Sequence, residues 1–238
     1  EAAVIAGTQL DDTLVGGFGD DDISGLGGND SIDGQAGSDL IRGGDGNDTI
    51  EGNFGDDRLY GDAGDDTITD DQGSNILDGG DGNDNLTSRS LTGDHTLVGG
   101  SGNDRLNATG KVVNLDGGVG NDNLEVSGWL SIGGTQQYVQ NGDAKLIGGS
   151  GEDNLSADLY SKAELRGGDD NDHIYIHGSK DVLLYGEDGN DSLDAYITPG
   201  ETGRTDGNYD LPVSAYLNGG DGNDTLNIRG HLYLYAGS

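Results

Sequence analysis

The sequence predicts an all-β fold, a solenoid in which short strands alternate with glycine-rich turns. Three observations predict it. A nine-residue unit recurs without insertion from residue 7 to residue 87, and periods this short belong to stacked architectures whose repeats bury their apolar side against one another. One large aliphatic side chain keeps its place in every unit, as the inward residue of a short strand whose immediate neighbours point outward. Helix is disfavoured throughout, because 48 of the 238 residues are glycine and aspartate is also abundant.

Charge and composition narrow the function. The chain carries 45 acidic residues against 11 lysines and arginines, a formal charge of −34. Nucleic acid and anionic membrane surfaces repel such a chain, so neither is expected as a partner. With no cysteine there is no disulfide scaffold, thiolate zinc site or cysteine nucleophile. No apolar run approaches the ~20 residues of a membrane span, so no transmembrane segment is expected. No signal-peptide pattern is present and the chain begins at Glu1, which reads as a processed or excised piece of a longer protein. We expect a single domain over 1–238. Two readings of the acidity remain: a disordered tail, or carboxylates that await a cation. Order along the chain decides between them.

The nine consecutive units begin at Gly7, Gly16, Gly25, Gly34, Gly43, Gly52, Gly61, Asp70 and Gly79. A clear example is Gly43-Gly44-Asp45-Gly46-Asn47-Asp48-Thr49-Ile50-Glu51. The unit returns at Gly99, Gly117, Gly148, Gly167, Gly186 and Gly219 with other sequence between. Glycine at positions one, two and four permits φ > 0 and close backbone approach, so six residues can form a tight turn. Its carbonyls then point inward and Asp at position six adds a carboxylate. Hard oxygen donors of this kind suit Ca²⁺, which tolerates irregular geometry better than Mg²⁺.

The pattern G-G-x-G-x-D-x-U-x, with U a large aliphatic, resembles the RTX, or haemolysin-type, calcium-binding repeats of secreted bacterial proteins, and does so over nearly the whole chain. The resemblance implies a right-handed parallel β-roll (β-solenoid) of about eleven coils, with two facing parallel sheets and calcium-binding turns. Each ion then sits between turns two units apart. The lower turn offers the carbonyls of positions two and four plus its Asp, and the upper turn those of one and three plus its Asp. Carried onto this chain, the second- and fourth-position donors are Gly17, Gly19, Gly28, Gly44, Gly46, Gly64, Gly80, Gly82, Gly100, Gly102, Gly118, Gly120, Gly149, Gly151, Gly168 and Gly189. Members of the family are commonly exported unfolded, by type I secretion, and fold where calcium is plentiful.

Sorting the units by side separates two columns of position-six residues. The first is Asp12, Asp30, Asp48, Asp66, Asp84, Asp104, Asp122, Asp153, Asp172, Asp191 and Asp224, running the length of the chain. The second is Asp21, Asp39, Asp57 and Asn75. Beyond it, alignment on the aliphatic places His95, Val113, Ala144, Ala163, Val182, Ala215 and Leu232 at position six, so that side is expected to close by packing. Asn75 has no charge, which leaves open whether its turn holds an ion. The expected cofactor is about ten to thirteen Ca²⁺. Residues 7–87 would carry calcium turns on both sides and 88–238 on one side. The inward aliphatics run from Leu14 to Leu226 on one side and from Ile23 to Leu234 on the other, every one Leu or Ile. A disordered tail has no reason to keep that register, and so thin a core needs metal to hold it.

Some units depart from the pattern. Leu10 at position four weakens the first turn. Asp170 replaces a fourth-position glycine and can adopt left-handed geometry. Leu26 and Glu187 at position two should matter less if only their carbonyls bind. Two excursions leave the short-column side, near 126–147 and 195–218. The first, around Gly133-Gly134, reads as a hairpin; the second, with Pro199 and Pro212, reads as a loop.

Trp129, Tyr138, Tyr175, Tyr185, Tyr216, Tyr233 and Tyr235 are candidates for a ligand or partner surface, because outward aromatics stack on sugars or dock neighbouring domains. Ordinary cross-strand packing explains them equally. His173 and His177 read as exposed strand histidines. Neither H-E-x-x-H nor G-x-S-x-G occurs, and calcium turns account for the paired acids, so no enzymatic activity is expected. The leading expectation is a calcium-binding structural module of a secreted or cell-surface bacterial protein, in contact with neighbouring domains. The alternatives are an adhesion module for glycans or cell-surface material, and the accessory tail of a secreted enzyme.

Overall fold

The computed structural model describes residues 1–132, 135–139, 142–158, 160–178, 180–197 and 214–230. The run 231–235, with Tyr233 and Tyr235, lies outside them, as do Pro199 and Pro212. Among the described residues, two parallel sheets of eleven strands each make up the fold, with one two-stranded antiparallel hairpin. No helix occurs among the described residues. Sheet one runs from Val4–Ala6 through Asp22–Gly27 and Leu40–Asp45 to Ser214–Asp221; sheet two runs from Thr13–Gly17 through Ser31–Gln35 to Thr225–Gly230. The chain alternates between the sheets, so each strand pairs with the strand one coil away. This is the expected β-roll, roughly 50 Å long at the usual strand spacing.

The aliphatic register sets the pairing. Ile32, Ile50, Ile68 and Leu86 are successive partners in sheet two, and Ile23, Ile41, Leu59 and Leu77 in sheet one. These side chains are buried and form one continuous core cluster between the sheets. A one-residue slip would turn the whole row outward, so the pattern fixes the pairing strongly. Leu226, in the last described strand of sheet two, is 45% exposed. One strand, Val4–Ala6, lies ahead of the first recognisable unit, and its Ile5 pairs with Ile23.

The roll changes character after residue 75. Strands of sheet one grow from six residues, as in Ile76–Asp81, to eight, as in Asp94–Ser101 and Val112–Val119. The extra residues are those that form the turn in earlier coils, and His95, Val113, Ala144, Ala163 and Val182 now point inward and are buried. Sheet two supplies a second inward row that the sequence reading did not assign: Ser88, Ala108, Val126, Ala157, Ile176 and Ala195, also buried. Apolar packing thus replaces the turns of the short column.

The first excursion contains an antiparallel hairpin, Trp129–Ile132 with Thr135–Tyr138. Beneath it Tyr160 fills the turn side of the core at 2% exposure. Its hydroxyl lies 3.2 Å from the carbonyl oxygens of both Gly110 and Ser127 and accepts from the Gly110 N–H at 3.4 Å. Burial pushes the phenol above its ordinary range, so it stays a neutral donor.

Candidate metal centre

Backbone shape builds the turns. Second- and fourth-position glycines such as Gly44, Gly46, Gly80 and Gly82 take positive φ. Six other residues at these positions take the same left-handed region: Leu26 (φ 80°), Glu187 (φ 80°) and Asp170 (φ 78°), with Gln35, Asn53 and Asp62; Thr8, Leu10 and Asp71, in the units that begin at Gly7 and Asp70, do not. Asp170 tolerates this geometry, as expected of Asp, but Leu26 and Glu187 carry backbone strain of about 1–2 kcal/mol each, since position two itself is left-handed. First-position glycines do not take positive φ; they are needed for space. A methyl group built on Gly34 would lie 2.6 Å from Asp39 Oδ2 and 3.0 Å from the carbonyl oxygen of Gly52 in the coil above. At Gly43 the same two groups are Asp48 Oδ2 and the Gly61 carbonyl oxygen (2.8 Å), and at Gly99 they are Asp104 Oδ2 and the Gly117 carbonyl oxygen (2.5 Å).

The position-six carboxylates form two ladders. In the long column each Oδ1 accepts from the backbone N–H of the aspartate one coil below. The links from Asp12 to Asp30 (2.8 Å), Asp30 to Asp48 (2.7 Å) and Asp48 to Asp66 (2.7 Å) repeat through Asp84, Asp104, Asp122, Asp153, Asp172 and Asp191 to Asp224 (3.1 Å). In the short column the acceptors are Asp21 for Ala3, Asp39 for Asp21, Asp57 for Asp39, and Asn75 for Asp57. A further ladder, which the sequence reading did not assign, runs along the exposed edge of the same turns, where Asn29, Asn47, Asp65, Asn83 and Asn103 accept from the residue above. Its signal was the recurrent Asn or Asp just before the buried aspartate.

One oxygen of each buried carboxylate is therefore spent on the ladder. The other, Oδ2, is buried without a hydrogen-bond partner in Asp30, Asp39, Asp48, Asp57, Asp66, Asp84, Asp104, Asp122, Asp153, Asp172 and Asp191. An ionised oxygen buried this way is costly unless a cation or a proton meets it. At the ends the pattern relaxes: Asp12 Oδ2 accepts from the N–H and hydroxyl of Thr8, and Asp21 Oδ2 from the Gly17 N–H. Burial, opposed in part by the N–H each accepts, pushes Asp66, Asp122 and Asp172 up to about 7. It pushes Asp39, Asp48, Asp84 and Asp153 up to about 6. Neighbouring carboxylates raise them further.

No three His, Cys, Asp or Glu side chains converge among the described residues. Hollows such as those at Gly16, Gly34, Gly43, Gly61, Gly79, Gly99, Gly117 and Gly148 instead join a carboxylate oxygen to a backbone carbonyl, with space that only glycine leaves open. That donor set fits a hard, irregularly coordinated cation such as Ca²⁺. Second- and fourth-position carbonyls stay within the same turns, at Gly17, Gly19, Gly28, Gly64, Gly100, Gly102, Gly118, Gly120, Gly149, Gly151, Gly168 and Gly189, but Gly17 and Gly19 lie at the first coil outside the positive-φ set.

The aromatic candidates divide between opposite faces. Tyr185 and Tyr216 lie on the outside of sheet one, 5.7 Å apart, with the Arg166 guanidinium 4.3 Å over the Tyr185 ring. Tyr175 lies on the outside of sheet two. There His177 bonds Asp158 (2.8 Å) and stacks on Tyr196 (5.2 Å). Trp129 and Tyr138 pair in the hairpin; the Tyr138 side chain lies outside the description. Among the described residues the candidates thus lie on both outer faces, because alternate strands carry them to different sheets.

The family model of the RTX calcium-binding nonapeptide repeat (4 copies) matches residues 6–41, 33–68, 60–90, 92–110, 98–127, 178–196 and 216–227. No curated protein matches the chain. The unmatched stretch 128–177 still contains Asp153 and Asp172, which hold their places in the long ladder.

Proposed function

Since the chain belongs to the RTX calcium-binding nonapeptide repeat family, we propose that it is a non-catalytic structural module of a secreted or cell-surface bacterial protein that folds when it meets calcium outside the cell. The observation that carries this reading is the row of buried Oδ2 atoms without partners, each beside a glycine-walled hollow. Asp Oδ2 and the carbonyls of the turns would hold the ions, about ten in the long column and two or three in the short one. Bound Ca²⁺ supplies positive charge against the −34 of the chain. Without it the carboxylates repel one another across each hollow, and the thin core does not offset that repulsion. No helix of the described residues is long and apolar enough to cross a membrane.

The test is a circular-dichroism titration of the whole chain. We expect a largely unfolded spectrum in excess chelator and a cooperative rise of β signal with millimolar calcium. An identical spectrum under both conditions overturns the reading. A second reading, contact with glycans or cell-surface material, is supported by the Arg166–Tyr185–Tyr216 cluster, where Tyr216 is 53% exposed. Glycan-array binding that disappears in Tyr185→Ala and Tyr216→Ala, with the calcium response intact, would favour it.

A further inference from the structure

We propose that Asp70 is a side-chain ligand of a third calcium site in the short column, between the turns that begin at Gly52 and Asp70. The inference rests on the calcium-binding reading above and adds to it a residue outside the position-six pattern.

The hollow at Gly52 differs from its equivalents. At Gly16, Gly34, Gly43 and Gly61 the point where a side chain would start is met by the turn's own Asp Oδ2 and by the first-position carbonyl of the coil above. At Gly52 it is met by Asp57 Oδ2 (2.7 Å) and, in place of the carbonyl, by Asp70 Oδ2. Both oxygens are therefore adjacent to the same Cα. Each belongs to a residue 1% exposed, and no N–H or hydroxyl donor of the chain reaches either oxygen, which leaves a cation or a proton shared between the two carboxylates to meet them. Asp70 Oδ1 is held locally by the Gln72 N–H at 3.2 Å, which leaves Oδ2 directed into the hollow.

The neighbouring substitution explains why a carboxylate is useful there. The turn above carries Asn75 at position six. Its Oδ1 keeps the ladder by accepting from the Asp57 N–H (3.1 Å), and its amide donates to the Gln72 carbonyl (3.0 Å). Asn75 has lost one negative charge relative to Asp, and Asp70 has added one at a place that is glycine in the other eight consecutive units. The site thus keeps two carboxylates. Packing offers no competing reason for Asp70: its partner one coil on is Ser88 and the next is Ala108, a row of small and apolar residues facing the core. An aspartate in such a row is costly unless it meets a cation or shares a proton with Asp57.

Native mass spectrometry of the intact chain at saturating calcium and neutral pH separates these outcomes, with calcium affinities from titration and folding followed by circular dichroism. The variants are Asp70→Gly, which restores the usual first-position residue, and Asp70→Asn, which keeps a hydrogen-bond donor toward Asp57. We expect both to fold in excess calcium and to hold one ion fewer than the wild type, or to bind the weakest ion at least tenfold less tightly. Unchanged ion number and affinity in Asp70→Asn would mean a shared proton and overturn the proposal. A wild type that binds no calcium would instead overturn the functional reading itself. Should neither variant fold, anomalous scattering from calcium-grown wild-type crystals decides: an ion within about 2.3–2.6 Å of Asp70 Oδ2 supports the assignment, and an empty hollow beside filled neighbours refutes it.

Discussion

The carboxylate of Asp153 accepts a hydrogen bond from the backbone N–H of Asp122 at 2.7 Å, although 31 residues separate them. Elsewhere in the long column the same link spans 18, 19, 20 or 33 residues. The hairpin between Asp122 and Asp153 is looped out from the opposite side, so the ladder closes over the gap with its geometry unchanged. The ladder is a property of the turn and not of the period, which is why extra sequence is accommodated on one side only.

Space at the first position is the sharpest point of the design. Gly61→Ala places a methyl group against Asp66 Oδ2 and 2.5 Å from the Gly79 carbonyl oxygen. The backbone there is not left-handed, so the whole effect comes from filling the hollow. We expect one calcium fewer by native mass spectrometry and a loss of about 1–3 kcal/mol by denaturant unfolding in calcium. Gly17→Ala is the control. Its added methyl would meet only Asp21 Oδ2, at 3.8 Å, and it should stay within about 0.5 kcal/mol of wild type. Equal losses in both would show that the hollow has no special role.

Acidity should act oppositely on the metal-free and calcium-loaded states. Burial raises Asp66, Asp122 and Asp172 to about 7 from 3.8, so the metal-free folded form binds more protons than the unfolded chain. The stabilisation from protonation is fully present below about pH 3.8 and is lost as pH rises through about 7. In chelator, β structure should therefore be greatest near pH 4 and fall toward pH 8. Calcium affinity should rise over the same interval, because protons leave the oxygens that bind metal. Circular dichroism in chelator across pH 4–8 checks the first half; more structure at pH 8 than at pH 4 contradicts it.

Tyr160 closes the side of the core where the short column of position-six aspartates has ended. Tyr160→Phe keeps the ring and removes the hydroxyl shared by the carbonyls of Gly110 and Ser127. We expect a loss of about 1–3 kcal/mol in calcium, with the ion count unchanged, because buried backbone groups lose a partner. A change in ion count would mean that the two sides of the roll are coupled.

Much of the fold was legible because one residue in nine repeats a single physical demand. Leu and Ile at position eight must face the core, and the pairing of Ile32 with Ile50 and of Leu59 with Leu77 follows directly. Position-six aspartates were legible for the same reason. What escaped was whatever depends on a neighbour one coil away. Val126 and Ile176 form an inward row only because Val113 and Val182 extend the facing strands. Asp70 is the one residue other than glycine among the nine consecutive first positions, and its carboxylate acquires meaning only beside Asp57. Tyr160 seals a turn 50 residues distant, and no local pattern announces that. The outward phase of Tyr175 and Tyr185 was legible, but not that they stand on different sheets, since that depends on which strand pairs with which.

Within each sheet, every strand pairs only with the strands immediately before and after it in the stack. Order can therefore start at whichever coil forms first and advance as a moving boundary; each step closes 18 to 33 residues, and because closure cost grows only with the logarithm of length the steps cost much the same. A defect at one coil would halt that advance at a definite place, leaving two independently melting blocks in place of a single transition. Stacked this way, the coils form a row of latches, each able to shut only against its neighbour.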